Sequence, residues 1–403
     1  MSTMSTQTVS PVPAPTADWL DPVAMLEDPH PTYERLRALG PVVWAPAINR
    51  YLAVSHSANS VVEADSQTYS ANVTGAAALM ARTMGARPLL RKDDPEHANE
   101  RRPINSSMRP KNIREVWVAM FERNAETYLD HLIERGPEHA DLNTDYAAPL
   151  AAQNLADMLG LTGASPQQMQ RWSQAFIDGI SNLSNDSRVW ERADAAQAEV
   201  DALLDQLIPY YAQHPNTSMI SAWVNGGLPE ASIRANIKLT ISGGMNEPQH
   251  MVTNMVWALD RHPAQHSEVL TNAALWPTVF EETVRWLSPI GMLPRETTRP
   301  TVLEGTEIPA GASVGGLLAC ANRDPNVFER PNDFDIHRPK RPHLAFGAGS
   351  HLCAGQWAAR ISIGEIAVPR LYQRLPEVRL DERRSEQWFG WVFRGLSRMP
   401  VTW

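Results

Sequence analysis

The segment Phe346-Gly347-Ala348-Gly349-Ser350-His351-Leu352-Cys353-Ala354-Gly355 constrains this chain more than any other, and the helix-forming run Gln356-Trp357-Ala358-Ala359-Arg360 follows it directly. Glycines at 347 and 349 accept positive backbone angles, so they permit a tight turn and let the main chain approach a flat ligand closely. A cysteine at the opening of a helix faces unpaired backbone N–H donors and the positive end of the helix dipole, and both favour thiolate over thiol. Thiolate is the form that ligates a metal. Taken without its neighbours, a lone cysteine such as Cys353 is more often a small buried core residue. The other cysteine, Cys320, precedes Ala321-Asn322-Arg323-Asp324-Pro325 with no glycine turn, and there the structural reading wins.

Two cysteines in 403 residues are too few for a disulfide framework, which leaves one for chemistry. Lys plus Arg number 36 against 45 Asp plus Glu, a formal net charge of -9, and the basic residues are dispersed, so no nucleic-acid footprint is visible. A membrane anchor needs a run of about eighteen apolar residues, and none occurs. A basic segment followed by an apolar core is also missing from the first residues, so no secretory signal is expected and the cytoplasm is the default address.

Residues 1–17 are Ser, Thr, Pro and Ala without periodicity and read as a disordered arm. From Pro31 onward helical periodicity dominates: Thr32 to Arg37, Val116 to Ile133, Gln167 to Ile180 and Ala195 to Tyr211. Short alternating pieces, Val42-Val43-Trp44 with Tyr51 to Val54 and Thr301-Val302-Leu303 with Thr306 to Pro309, predict small antiparallel hairpins. With no fixed repeat and no Gly/Ser linker, residues 18–403 are expected to form a single mainly α domain with a minor sheet.

Glu282 and Arg285 lie three apart on one helix face, a spacing that by itself usually marks a solvated surface pair. Together with the cysteine loop, however, the chain resembles the cytochrome P450 family of bacterial soluble type. Every expected position of that family's haem signature is matched, including Phe346 beside the sulfur and Gly355 after it. Glu282 and Arg285 resemble the family's Glu-x-x-Arg pair, and Asp335-Ile336-His337-Arg338-Pro339 resembles the later segment whose arginine joins them. The resemblance implies a haem b whose iron is held by Cys353, braced from behind by Glu282, Arg285 and Arg338. A thiolate ligand donates electron density to iron and favours O–O cleavage. Haem carries two propionates, and His97 with Arg101, Arg295 and His351 match the family's cationic partners for them.

The resemblance spans roughly residues 20 to 403 and is nearest to the bacterial aromatic O-demethylases acting on guaiacol- and syringol-type methoxyphenols. Gly243 to Pro248, His343 to Gly349 and Trp388 to Gly395 carry that likeness. Most P450s place an acid and then a threonine on the helix crossing the haem, where they pass protons during oxygen activation. Asn246 and Glu247 occupy those places here. Pro248 cannot donate an N–H, so the carbonyl of Gly244 is expected to be freed and the helix to kink or widen, making room for dioxygen and a water. Glu247 then reads as a general acid and base, or as a cap for a freed backbone donor.

The likeness to the O-demethylases places Phe393 in the substrate pocket with Ile290 and Met245. Met84 and Ile180 fall where that group often has Phe, which would enlarge the pocket. The implied activity is oxidative O-demethylation of a small aromatic substrate, with hydrogen peroxide as a second route beside dioxygen. Two alternatives stay open: hydroxylation of another small substrate such as a terpene or fatty acid, and a non-catalytic haem-thiolate sensor, which no signalling segment supports. The chain has no flavin or nicotinamide fingerprint and no iron–sulfur cysteine set. Electrons must therefore come from a ferredoxin or an iron–sulfur flavin reductase.

Overall fold

A computed structural model describes residues 12–403 of the chain. The expected helices form where periodicity places them. They are α1 (His30–Leu39), α2 (His56–Ala64), α3 (Thr74–Met84), α4 (Glu96–Asn105), α5 (Val118–Arg135), α6 (Ala148–Leu159), α7 (Pro166–Ile180) and α8 (Ser187–Gln213), then α9 (Glu230–Gly243), α10 (Asn246–Arg261) and α11 (Trp276–Trp286). A last helix, α12, runs 356–374. Local chemistry sets several starts. Ser165 accepts the Gln168 N–H while the Gln168 side chain accepts that of Ser165, and Asp186 accepts the Arg188 N–H. The Asp186 cap begins α8 at Ser187, ahead of the buried stripe that starts at Ala193. α7 buries Met169, Trp172, Ala175 and Phe176, spaced i, i+3, i+6 and i+7 along one face of an amphipathic helix.

The sheet region is small. β1 (Val42–Ala45), β2 (Arg50–Ala53), β3 (Tyr69–Ser70), β4 (Leu293–Thr297) and β7 (Ser313–Gly316) make one five-stranded sheet in the order β1-β2-β7-β4-β3. β5 (Thr301–Leu303) and β6 (Thr306–Ile308) form the second expected hairpin. β8 (Arg379–Leu380) with β11 (Val401–Thr402), and β9 (Gln387–Phe389) with β10 (Gly395–Arg398), complete the strands. One large apolar core runs from α5 through α12, and a smaller one joins α1, β1, β2 and Trp391.

The expected arm is corrected at its C-terminal end. Val12 bridges Thr306, Trp44 N–H donates to the Pro15 carbonyl at 2.8 Å, and Ala17 is fully buried. Backbone pairing with a neighbouring hairpin orders these residues although their own sequence carries no periodicity. Residues 1–11 lie outside the described part. Among the described residues, no helix is long and apolar enough to cross a membrane.

Candidate active site

The cysteine loop is braced from behind. Arg285 donates to both oxygens of Glu282 at 2.7 and 2.8 Å, Arg338 Nε reaches Glu282 Oε1 at 3.1 Å, and the Asp335 N–H reaches it at 2.9 Å. The rest of the Arg285 guanidinium goes to the carbonyls of Asn322, Pro331 and Asp333. Every nitrogen of Arg285 is therefore used, which is what makes a buried charge network tolerable. Glu281, beside it, accepts from Arg360 Nε at 2.6 Å and His343 Nε2 at 3.0 Å. Burial raises the Glu281 carboxyl, but these two partners outweigh it and hold its pKa down to about 2. The Arg360 guanidinium lies over Phe346 at 4.5 Å and over Trp357 at 5.0 Å, fixing the loop's first residue.

Within the loop, Cys353 N–H donates to the Phe346 carbonyl at 2.9 Å. Gly347 and Gly349 have φ of 67° and 64°, and a Cβ at 349 would strike the Glu63 carbonyl. A Cβ at Gly355 would lie 3.9 Å from the Cys353 sulfur. The helix itself begins at Gln356, so Cys353 precedes it rather than opening it. Burial raises the thiol, and the Gly355 N–H and the charge of Arg101 recover only part of that shift. The expected help from a backbone donor is therefore present in the Gly355 N–H, but burial outweighs it.

The expected cations gather on one side of the loop. His97 and His351 lie with ring centroids 4.1 Å apart, and each has a buried Nε2 with no partner. Burial first, and then His97 and Arg295, push His351 down to about 3. Arg101 donates to the Leu352 carbonyl at 2.8 Å, and buried Arg295 donates to Glu63 at 2.8 Å. Two further arginines that carry no motif join them. Arg91 Nε and Arg50 Nη1 are buried without a partner, and burial together with the charges of Arg295 and Arg50 pushes Arg91 down to about 10. Only the apolar flank Pro88-Leu89-Leu90 marks Arg91 as buried in the sequence.

On the opposite side, the crossing helix is interrupted more completely than Pro248 alone implies. α9 ends at Gly243 and α10 begins at Asn246, so Pro248 sits in a first turn, where its missing N–H costs nothing. Gly244 N–H still donates to Thr240, and a Cβ at 244 would lie 3.2 Å from Leu155, whereas one at Gly243 would meet nothing within 4 Å. Asn246 and Glu247 share the first turn of α10. Glu247 Oε2 is buried with no partner, and burial raises the carboxyl to about 7. Its charge reaches the Cys353 sulfur across the site. His250, one turn on, went unnoticed in the sequence: Gly395 leaves no room beside its ring, Phe389 packs edge-on at 5.3 Å, and burial pushes it down to about 4.

The expected pocket residues fall into two groups. Ile290 and Phe393 face each other in an isolated bridge, flanked by Gly291 N–H on the Val392 carbonyl and Arg394 N–H on the Pro289 carbonyl, each at 2.8 Å. Met84 and Ile180 end α3 and α7, and these ends touch, since a Cβ at Gly179 would lie 2.9 Å from Thr83. Buried Lys238 spans Asp201 Oδ2 at 2.8 Å and the Met84 carbonyl at 3.3 Å. Met245 is 2% exposed and belongs to the main core.

The fold matches that of P450BioI in complex with an acyl carrier protein carrying hexadec-9Z-enoic acid, with a TM-score of 0.84 at 24% identity over 95% of this chain and 100% of that one. It also matches CYP109B1 from Bacillus subtilis, TM-score 0.82 at 23% identity over 94% and 100%. A cytochrome P450 family profile matches residues 255–370. The 20-oxo-5-O-mycaminosyltylactone 23-monooxygenase of Streptomyces fradiae is 33% identical over 325 residues, 79% of this chain and 75% of that protein. This chain belongs to the cytochrome P450 family. The steroid C26-monooxygenase of Mycolicibacterium smegmatis, 29% identical over 314 residues, 75% of this chain and 77% of that one, is another P450 relative. P450s are monooxygenases that bind haem through a cysteine thiolate and take electrons from a redox partner such as a ferredoxin, with dioxygen as oxidant.

The residues present fit that haem. A sulfur in a glycine-opened loop faces Glu247, while Arg50, Arg91, His97, Arg101, Arg295 and His351 gather positive charge and unpartnered donors in one place. Glu63 pairs there with Arg295, and Asp94 lies 3.2 Å from His97 Nδ1. A dianionic edge such as two propionates supplies what this cluster lacks.

Proposed function

We propose that this P450 removes the methyl group of a methoxyphenol such as guaiacol, syringol or a para-alkylguaiacol, and that hydrogen peroxide alone supports part of its turnover. Bound haem supplies the oxidising chemistry that inserts one oxygen into a C–H bond. Hydroxylation of an aryl methyl ether gives a hemiacetal, which collapses to a phenol and formaldehyde.

The observation that carries the peroxide reading is Glu247. Its carboxyl replaces the usual alcohol, has one unpartnered buried oxygen, and is raised by burial to about 7. A group with that pKa is partly protonated and partly charged at neutral pH, so it can take the proton from one peroxide oxygen and return it to the other. Asn246 beside it offers an amide rather than an acid, which leaves Glu247 as the titrating group of the pair. The small aromatic substrate is supported by the likeness of Gly243 to Pro248 and Trp388 to Gly395 to the O-demethylases, and by the paired positions of Ile290 with Phe393 and of Met84 with Ile180.

The test is formaldehyde release from syringol and guaiacol with hydrogen peroxide and no reductase, for the wild type and Glu247→Gln at matched haem content. The variant keeps size and hydrogen bonding but loses the titrating group, so its rate is expected to fall roughly 10²-fold or more with substrate affinity nearly unchanged. Equal rates would leave Glu247 with a capping role. The steroid and macrolide names of the relatives favour a second reading, a bulkier apolar substrate. A larger ferric spin-state shift with a steroid or fatty acid than with any methoxyphenol would replace the O-demethylase reading by that one.

A further inference from the structure

Away from the haem side, α1 packs against the segment that follows β7 and against the C-terminal loop 390–394. Three arginines meet there: Arg37 from α1, Arg323 from the turn after Cys320, and Arg394 from the C-terminal loop. None has a carboxylate within ion-pair distance among the described residues. Arg37 donates to the carbonyl and the sulfur of Cys320, both at 3.2 Å. Arg323 spends Nε and Nη2 on the single carbonyl of Trp286. Arg394 spends its Nη atoms on the carbonyls of Leu26, Glu27 and Gly390.

Arg323 is withdrawn from water, while Arg37 and Arg394 are half-buried. Arg323 is 6% exposed, and burial first, then the neighbouring arginines, pushes it down to about 9. His30 is held well below its ordinary value by burial and by all three arginines, so it is neutral. The nearby acids offset this only in part: Asp28 is exposed, accepts the His30 N–H at 3.0 Å and acts on Arg323 and Arg394 through space without touching either, while Asp324 accepts the N–H groups of His56 and Asn326. A buried guanidinium with no carboxylate in contact is costly, and Arg323 is one.

The same place holds three buried polar atoms with no partner: His30 Nδ1, the Tyr33 hydroxyl and Arg394 Nε. Tyr33 is 1% exposed, and its ring meets that of His30 edge-on at 5.8 Å. Its hydroxyl lies 3.4 Å from where a Cβ on Gly291 would be, which puts it directly behind the Ile290–Phe393 bridge. Arg394 Nε–H and Tyr33 O–H are donors, and neutral His30 can donate through Nδ1. A water molecule would satisfy the donors but leave three guanidiniums in excess over the one carboxylate, Asp28, that acts on Arg323 and Arg394. A cation is excluded by the sign of the field.

We propose that His30, Tyr33 and Arg394, backed by Arg37 and Arg323, form a binding site for one small monovalent anion of halide size, which ties the C-terminal loop to α1. The site is separate from the haem cluster and does not depend on the substrate assigned above.

Bromide is the probe. Crystals of the holoenzyme soaked in sodium bromide are expected to show an anomalous peak within hydrogen-bonding distance of Tyr33 Oη and Arg394 Nε. In solution, the holoenzyme's melting temperature should rise saturably with sodium chloride or bromide relative to sodium gluconate at equal ionic strength. Tyr33→Phe removes one hydroxyl that has no protein partner, so the fold should tolerate it. Losing a hydrogen bond to a charged group should raise the half-saturating bromide concentration roughly tenfold or more. Arg394→Gln should weaken binding further. An anomalous map with no peak at this cluster overturns the proposal. So do melting curves that coincide in bromide and gluconate, or an unchanged bromide dependence in both variants.

Discussion

Replacing Glu282 by alanine should test whether the bracing network bears the fold as its geometry implies. The side chain accepts from Arg285 at 2.7 and 2.8 Å, from Arg338 at 3.1 Å and from the Asp335 N–H at 2.9 Å. Removing one member of a buried ion pair costs about 3–5 kcal/mol, because the remaining charge stays buried and uncompensated. Both arginines keep carbonyl partners, which places the expected loss in the lower half of that range. Unfolding entropy of about 2.1 cal/mol/K per residue gives a chain of this length about 0.8 kcal/mol/K, so roughly 3–4 kcal/mol lowers Tm by about 4–5 °C. The assay is far-ultraviolet circular dichroism of the holoenzyme at one fixed scan rate and matched haem content. Glu282→Gln retains an acceptor oxygen and should lose less. A fall of under about 1 °C for the alanine variant, or a glutamine variant less stable than alanine, would refute the argument.

Burial raises the Glu247 carboxyl to about 7, so the folded protein binds that proton more tightly than the unfolded chain does. The contribution of Glu247 is fully present below about pH 4.5, and roughly 3 kcal/mol of it is lost as pH rises through 7. Glu247→Gln should therefore gain on the wild type across that window in melting experiments, and a gap independent of pH would contradict the burial argument. The Glu281 carboxyl, held down to about 2, has the opposite sign: its contribution is present above about pH 4.5 and lost as pH falls toward 2. The deficit of Glu281→Gln at neutral pH should accordingly close in acid, as followed by the same melts. Gly349→Ala puts a side chain at φ 64° and against the Glu63 carbonyl, so haem absorbance relative to protein should drop sharply, and full haem content would show that the loop relaxes freely. Cys353→Ser should abolish the red-shifted ferrous carbon-monoxide band of a thiolate ligand, and a band that persists would place the ligand elsewhere.

The cysteine loop was legible because its demands are local. Gly347 and Gly349 are required by backbone angles and by one close carbonyl, and those requirements leave a fixed spacing in the chain. Helices such as Pro166–Ile180 were legible for the same reason, since cap and apolar stripe lie within one segment. Glu282 and Arg285 carried their spacing openly, but only packing shows that both are buried and that Glu282 also accepts from Arg338.

What tertiary structure alone decided comes from groups that meet across long stretches of chain. Val12 to Ala17 look unstructured in isolation and are ordered by hydrogen bonds to β1 and to the β5–β6 hairpin. The Cys353 sulfur was expected to gain acidity from a helix end, yet the helix starts later and burial outweighs the nearby donors. Arg91 and His250 have no motif around them, and their character comes from what surrounds them in space: burial and repulsion for one, burial against Gly395 and Phe389 for the other. The sequence by itself determined where the backbone must bend and which faces must be buried, because those choices are made within a few residues. Charge state and partnership belong to the fold, because desolvation and Coulomb interactions act through space and take no account of order along the chain.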